Sequence, residues 1–235
     1  MQWRHLFTLF CLFSIVYTTH AQPSGAELLE KSIAFHDPTG NWPTFKGQLD
    51  FVVTRPNKPN GDRTVFIDNK NEHFLFVAKY ENGELEYEVD KGSPHTLWNG
   101  EESIPEEVAK KYRVTKDRSI MYRNYYTYLY GMPMKLLDPG TQISPEVQEV
   151  DFYGKRYYKL KVTYDPQVGK DSWYFYFNTK TYALEAYQFF KDESKNDGEY
   201  ILFEGLRTID RIKMPKDRKW YFNKDEKYLA TDILK

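Results

Sequence analysis

Apolar and polar residues alternate with a period of two along most of this chain, and this alternation constrains the fold more than any other feature. The clearest stretch runs from residue 84 to residue 89, where Leu85, Tyr87 and Val89 alternate with three glutamates. Such a pattern is typical of a strand with one face in a core and the other in water. About ten to twelve stretches have strand character, and helical periodicity interrupts them in only three places.

The arrangement of these elements along the chain indicates the fold class. Strands follow one another through short turns, and strand and helix do not alternate as they do in a parallel sheet. The sequence therefore predicts an α+β fold. We expect a strongly curved antiparallel sheet, an incomplete β-barrel of about ten to twelve strands, lidded by a few helices.

The most distinctive helical segment is MYRNYYTYLYGMPMKLLDPG, residues 121–140. Tyr122, Tyr126 and Tyr130 recur at every fourth residue, so they form one column on a helix. An apolar stripe with the spacing of an amphipathic helix adjoins this column and consists of Met121, Tyr125, Tyr128, Leu129 and Met132. Pro133 then ends the helix. Two interpretations stay open: the helix covers the sheet as ordinary core, or it forms one wall of a ligand pocket.

The two other helical segments begin with the same capping signal. Ser24 precedes Glu27 by three residues, and Ser103 precedes Glu106 by three. In a capping box the serine hydroxyl accepts a hydrogen bond from the backbone N–H three residues later, and the glutamate accepts one from the serine N–H. Pro105 falls in the first turn of the second helix, where proline is tolerated. The sequence predicts a helix after each serine.

The first 21 residues have the organisation of a secretory signal peptide. Arg4 and His5 precede an apolar run over residues 6–16, and Thr19, His20 and Ala21 follow it. This is a charged start, a hydrophobic middle and a small-residue cleavage site. The run is shorter than the roughly 20 residues that span a bilayer, so we expect no permanent membrane span. Cleavage after Ala21 leaves residues 22–235, which we expect to form a single domain.

Composition excludes several functional classes. Cys11, the only cysteine, lies in the predicted signal peptide, so we expect a mature chain without disulfides or thiol chemistry. Loss of Arg4 changes 33 basic and 34 acidic residues to 32 and 34, a net charge of −2. The two signs are interspersed, which gives no basic patch for nucleic acid. The 20 tyrosines and 16 phenylalanines favour an extensive antiparallel sheet, or a cavity that needs amphipathic side chains.

The sequence offers little for catalysis or for a metal. His36, His73 and His95 are the histidines after residue 21, and they have no zinc-ligand spacing. Neither a G-x-S-x-G elbow nor a glycine-rich phosphate loop is present in the sequence. We expect no catalytic residue, no metal and no cofactor.

His36 with Asp37 is the one pair that could supply a general base. Adjacent residues do not face each other on a helix, and Asp37-Pro38 is typical of a helix stop. A structural role for His36 is therefore favoured.

One predicted strand differs from the rest because both of its faces are apolar. In DSWYFYFNT, Trp173, Phe175 and Phe177 fill one face, and Tyr174 and Tyr176 fill the other. Such a strand lies between two covers or lines a cavity. The sequence does not decide which face points inward.

Several stretches resemble an uncharacterised family of secreted proteins from Bacteroidota-type bacteria, placed near the LolA/LolB lipoprotein-carrier superfamily. They are LLEKSIAFHDPTGNW, NYYTYLYGMPMKLLDPGT, VTYDPQVGKDSWYFYF, YALEAYQFFKDESKNDGEYI and KMPKDRKWY. The resemblance covers nearly all of the chain after residue 21, and to the carriers themselves it is one of architecture. It implies a LolA-like half-barrel with helices over its hollow, a periplasmic location and a hydrophobic groove. It implies no catalytic activity.

These observations lead to a functional hypothesis. We expect a periplasmic binding or carrier protein for a hydrophobic ligand, such as an acyl chain, a lipid or a lipid-modified protein, held in the half-barrel cavity. Its partners would be that ligand and an envelope protein. The predicted ligand-binding residues are Tyr125, Leu129, Met132, Met134, Trp173, Phe175, Phe177 and Phe189.

Two alternatives from other functional classes stay open. One is an envelope scaffold for protein interactions, with a filled core beneath exposed aromatic residues. The other is a hydrolase-type enzyme that uses His36 with a nearby carboxylate.

Overall fold

The computed structural model describes residues 22–115 and 117–235, and the predicted signal peptide lies outside these residues. The helices are α1 (Gly25–His36), α2 (Glu106–Tyr112) and α3 (Arg118–Gly131). The strands are β1 (Lys46–Arg55), β2 (Lys58–Asp68), β3 (His73–Tyr80), β4 (Gly83–Asp90), β5 (Ser93–Trp98), β6 (Thr141–Phe152), β7 (Lys155–Tyr164), β8 (Ser172–Asn178), β9 (Leu184–Phe190), β10 (Glu199–Ile209), β11 (Ile212–Phe222) and β12 (Tyr228–Leu234).

All twelve strands of the described residues join one antiparallel sheet in the order β5-β4-β3-β2-β1-β12-β11-β10-β9-β8-β7-β6. The chain starts in the middle of this sheet at β1 and proceeds strand by strand to one edge at β5. It then crosses through α2 and α3 to the opposite edge at β6, and returns to the middle at β12, which pairs with β1. A curved antiparallel sheet lidded by helices is the predicted fold, and the prediction is confirmed.

The alternation in the sequence corresponds to two faces of the sheet. Leu85, Tyr87 and Val89 of β4 are at most 2% exposed, whereas the glutamates between them are half-buried. A tight turn at Glu81-Asn82 connects β3 to β4, and an Asn-Gly pair such as Asn82-Gly83 is typical of a hairpin. Residues of one parity therefore build the concave face under the helices.

One capping box is confirmed and the other is wrong. Ser24 Oγ accepts a hydrogen bond from the Glu27 N–H, and Glu27 Oε2 accepts one from the Ser24 N–H. At α2 the N-cap is Pro105, and no side chain caps the helix. Because the helix begins two residues later than the pattern predicts, Ser103 lies outside its first turn.

Helix α3 crosses the concave face, and its tyrosine column is ordinary core. Tyr122 and Tyr126 pack against Phe76 of β3, with ring centroids 4.5 and 4.8 Å apart. Tyr126 and Tyr130 also pack against Phe51 of β1. These rings fill the space between the helix and strands β1 to β4. No helix in the described part of the chain is both long and apolar enough to cross a membrane.

Strand β8 has covers on both faces. Trp173, Phe175 and Phe177 point toward the main core beneath the helices. Tyr176 points outward, where its ring stacks on Phe152 with centroids 4.0 Å apart. The C-terminal end of β6 covers the outer face here, which explains why a strand apolar on both sides is stable in this position.

Candidate ligand-binding cavity

A cavity of about 910 Å³ lies between α3 and the concave face of strands β8 to β12. Helix α3 contributes one wall, and the strands contribute the other. From the helix come Asn124, Tyr125, Thr127, Tyr128 and Leu129; from the strands come Val53, Tyr164, Trp173, Tyr187, Phe189, Glu199, Trp220, Ala230 and Asp232. This volume is within the usual range for small-molecule sites, roughly 300 to 1,000 Å³.

The mouth of the cavity lies at the end of the half-barrel where several strand ends meet. Strands β8, β10 and β12 begin at this end, and β1, β9 and β11 finish there, because neighbouring strands are antiparallel. Arg55, Val168 and Lys170 line the cavity and are exposed, so they form part of its rim.

Strand register places the sheet residues of the cavity in rows behind this mouth. Trp173 pairs with Phe189, which in turn pairs with Glu199, in the row next to the rim. The following row contains Tyr187, Trp220 and Ala230.

A third row contains Val53, Asp232 and Arg218. Val53 and Asp232 line the cavity, whereas Arg218 does not. Asp232 therefore forms part of the cavity floor.

The aromatic side chains of the cavity contact one another along the wall. The Trp173 ring lies 4.9 Å from that of Phe189, 5.6 Å from that of Tyr128 and 5.7 Å from that of Tyr187, between centroids. The hydroxyl groups of Tyr128 and Tyr164 are hydrogen-bonded to each other across the cavity. Burial raises the pKa of Tyr164 to about 12. Burial raises the pKa of Tyr128 as well, so both tyrosines are neutral at physiological pH and present hydroxyl groups, not charges, to the cavity.

Four of the eight predicted ligand-binding residues line this cavity: Tyr125, Leu129, Trp173 and Phe189. The remaining four, Met132, Met134, Phe175 and Phe177, are at most 6% exposed and lie outside the lining. Phe175 and Phe177 are further from the mouth along β8, and the two methionines pack in the core after α3 ends. A role in ligand binding stays a prediction for all eight.

The sequence patterns do not identify several side chains of the cavity, among them Glu199, Trp220 and Asp232. Trp220 lies in β11 and Asp232 in β12, and the pairing of these two strands brings the two side chains together. The Trp220 Nε1–H donates a hydrogen bond of 3.1 Å to Asp232 Oδ2.

Asp232 lies at the cavity floor, and Arg218, its partner in the register of β11 and β12, is buried outside the lining. Asp232 is 8% exposed, and burial raises the pKa of its carboxyl group. Arg218 is fully buried, and its guanidinium lies over the Tyr130 ring at 4.3 Å and donates a long 3.4 Å hydrogen bond to the Leu129 carbonyl. Tyr130 and the α3 backbone therefore shield the arginine.

His36 has a structural role, as its sequence context favours. Its side chain is fully buried, and burial lowers its pKa to about 4. The Nε2 atom accepts a hydrogen bond of 2.9 Å from the Leu184 N–H, so the proton is on Nδ1, which donates to the Lys213 carbonyl at 2.6 Å. With both nitrogens bonded to backbone groups, His36 has no free atom for proton transfer, and the hydrolase alternative gains no support.

Within residues 22–115 and 117–235, no three or more His, Cys, Asp or Glu side chains form a group able to hold a metal ion. The cavity presents aromatic faces, a few hydroxyl and amide groups, and charged side chains, which are Arg55, Lys135, Asp138, Lys170, Asp171, Glu199 and Asp232. Such a lining can bind a ligand that is mostly apolar and has a small polar part.

Comparison with known proteins identifies the family and the fold. The profile of the family described as "Family of unknown function (DUF6503)" matches residues 4–234. The LolA superfamily protein NE2245 from Nitrosomonas europaea has a similar structure: its identity is 11%, the similarity covers 91% of this chain and 92% of that chain, and the TM-score is 0.52.

A DUF1329 family protein from Desulfovibrio piger ATCC 29098 is also similar in structure, with 11% identity, the same coverage of 91% and 92%, and a TM-score of 0.50. A search of curated proteins finds no match. The predicted LolA-like fold is confirmed, and identities this low establish the fold alone.

Proposed function

We propose that this chain, which belongs to the DUF6503 family of unknown function, is a binding or carrier protein for a hydrophobic ligand held in the half-barrel cavity. The ligand is an acyl chain, a lipid or a lipid-modified protein. The protein works in the periplasm after export and cleavage behind Ala21, and it hands its ligand to an envelope protein. We also infer that the family is one of secreted bacterial proteins.

The observation that supports this proposal is the cavity itself. Helix α3 fills the space over β1 to β4 with tyrosine rings, yet over β8 to β12 it leaves about 910 Å³ free. A helix that served only as a cover would pack its side chains onto this half of the sheet as it does onto the other.

The character of the lining favours an apolar chain as the ligand. Trp173, Tyr187 and Phe189 present carbon-rich faces to the cavity. Burial of a fourteen-carbon chain contributes roughly 11 kcal/mol before costs, at about 0.8 kcal/mol per methylene. Transfer from a membrane requires burial of comparable extent, and an aromatic cavity open at one end can supply it.

The scaffold alternative fits the molecule less well. It expects a filled core beneath exposed aromatic residues, and only the half of the interior under β1 to β4 is filled in this way. The cavity under β8 to β12 has no role in such a scaffold.

Ligand binding is tested by native mass spectrometry of protein purified gently from its own envelope, followed by lipid extraction. A second measurement uses N-phenyl-naphthylamine, a neutral apolar fluorophore, with Trp173 and Trp220 in the cavity as intrinsic donors. Trp173→Asp places a carboxylate in the apolar wall, and we expect it to weaken fluorophore binding at least tenfold.

Tyr174→Asp is the matched control, because Tyr174 is the next residue of β8 and points to the outer face. We expect this variant to bind as the wild type does. The proposal fails if the purified protein carries no lipid and the folded wild type does not bind the fluorophore. Equal loss of binding in both variants would also argue against the cavity as the site.

A further inference from the structure

Charged side chains are unevenly placed in the cavity. The basic ones are at the rim: Arg55 and Lys170 are exposed, and Lys135 forms an ion pair with Asp138. Acidic side chains are present both near the rim, where Asp138 and Asp171 line the cavity, and deeper, with Glu199 in the row next to the rim and Asp232 at the floor. The charged groups that a ligand meets beyond the rim are therefore carboxyl groups.

Asp232 is an unusual floor for a hydrophobic site. Its side chain is more than nine-tenths buried and lines the cavity. One carboxyl oxygen accepts the hydrogen bond from Trp220, while Oδ1 accepts none from any residue that the structure describes. A buried carboxyl group with a free acceptor is costly unless a donor or a cation meets it.

The nearby arginine does not satisfy this group. Arg218 is opposite Asp232 in the register of β11 and β12, but among the described residues no hydrogen bond or ion pair joins the two, and Nε and Nη1 of Arg218 have no partner either. The guanidinium is fully buried between the rings of Tyr130 and Phe203, at 4.3 and 5.7 Å. Arg218 is absent from the lining and Asp232 is part of it, so the charged group that a ligand can contact at the floor is the carboxyl group, while the buried guanidinium acts on that group through its charge.

Aromatic faces beside this carboxyl group favour the same sign of ligand charge. Trp220 is bonded to Asp232, and the Tyr187 ring lies 6.4 Å from the Trp220 ring. The faces of tryptophan and tyrosine attract ammonium groups, and aromatic cages bind quaternary ammonium ligands. A carboxylate ligand would instead meet Asp232 with like charge, which is unfavourable in a site of low dielectric constant.

We propose that the cavity prefers a long-chain amine, whose ammonium group contacts Asp232 and the Trp220 ring at the floor and whose alkyl chain lies along Tyr187, Trp173 and Phe189. This inference rests on the proposed function, since it names the chemical class of the ligand. The raised pKa of Asp232 is in keeping with a carboxyl group that lacks a sufficient partner in the free protein.

The test compares three ligands with the same chain: dodecylammonium, dodecyltrimethylammonium and dodecanoate. Each is titrated below its micelle concentration at pH 7, and the fluorescence of Trp173 and Trp220 reports binding. We expect both cations to bind at least tenfold more tightly than dodecanoate. This comparison uses the wild type alone and does not depend on how a variant folds.

Asp232→Asn removes the floor charge with little change of shape, and we expect the preference for the cations to vanish. Glu204→Gln is the control, because Glu204 is exposed on the outer face of β10 and the charge change is the same. Two results would overturn the inference and leave the proposed function intact. One is that dodecanoate binds to the wild type as tightly as the two cations do. The other is that Asp232→Asn still prefers the cations. Failure of every dodecyl ligand to bind would refute the proposed function itself.

Discussion

The two halves of the interior under α3 are built from the same kinds of residue and differ in how they pack. Over β1 to β4, Tyr122 and Tyr126 insert between aromatic side chains of the sheet such as Phe76. Over β8 to β12, Trp173 and Phe189 stack along the sheet against each other, and helix residues such as Leu129 stand across a cavity from them.

This difference shows that aromatic content alone does not determine whether a space is filled. Over β1 to β4, rings that reach from helix to sheet close the gap between them. Over β8 to β12, Tyr128 of the helix contacts Trp173, but Trp173, Tyr187 and Phe189 pack along the sheet and a gap stays open. The contacts among these three rings lie within the sheet, so we expect this part of the wall to keep its shape without a ligand. The filled half anchors α3, and the open half is available for binding.

The largest change in stability is expected when an aromatic side chain is removed from the filled half, under β1 to β4. Phe76→Ala removes a side chain that is 3% exposed and touches Tyr122 and Tyr126, and we expect the free energy of unfolding to fall by about 3–5 kcal/mol. Trp173→Ala only widens an existing cavity, so its cost is expected to be about 1–2 kcal/mol. Urea denaturation measures both. Equal losses would show that the two halves are packed alike.

A smaller, pH-dependent effect is expected from His36, which ties α1 to β9 and β11 in the half that holds the cavity. Its pKa is about 4 in the fold and about 6.5 in the unfolded chain, so its neutral form stabilises the fold. This contribution is complete above about pH 6.5 and is lost as pH falls toward 4, by roughly 3 kcal/mol at most.

Denaturation curves between pH 7.5 and 4 check this expectation. We expect His36→Gln to be less stable at neutral pH and to have a flatter pH profile than the wild type. His95→Gln is the control, because His95 is exposed. If the pH dependence of stability in His36→Gln were the same as in the wild type, protonation of other groups would be the cause of the loss of stability in acid.

The smallest change in stability is expected from mutations at the N-terminal ends of α1 and α2. Ser24→Ala removes a capping hydroxyl, and we expect a loss of about 1 kcal/mol. Ser103→Ala should change nothing measurable, because no side chain caps α2. Thermal unfolding of the two variants measures the difference. A comparable loss in Ser103→Ala would contradict the cap assignment at Pro105.

Local patterns predicted much of the fold and part of the candidate site. The period of two along β4 and the period of four in α3 identified the elements and the side chains that face the core, including Tyr126 and Leu129. On β8, the pattern grouped Trp173 with Phe175, yet only the former lines the cavity. Whether a residue of this face lines the cavity depends on its distance from the mouth, and a local sequence period carries no information on that distance.

By itself, the sequence determined the strand and helix types, the antiparallel class of the sheet and the set of aromatic side chains available to it. These depend on interactions between residues a few positions apart. Only the tertiary structure decided that Val53, Trp220 and Asp232 share a cavity with Tyr128, and that Arg218 is hidden from it. Register between strands far apart in sequence sets those contacts, and a shift of two residues would keep every side chain on its face while replacing the floor of the cavity.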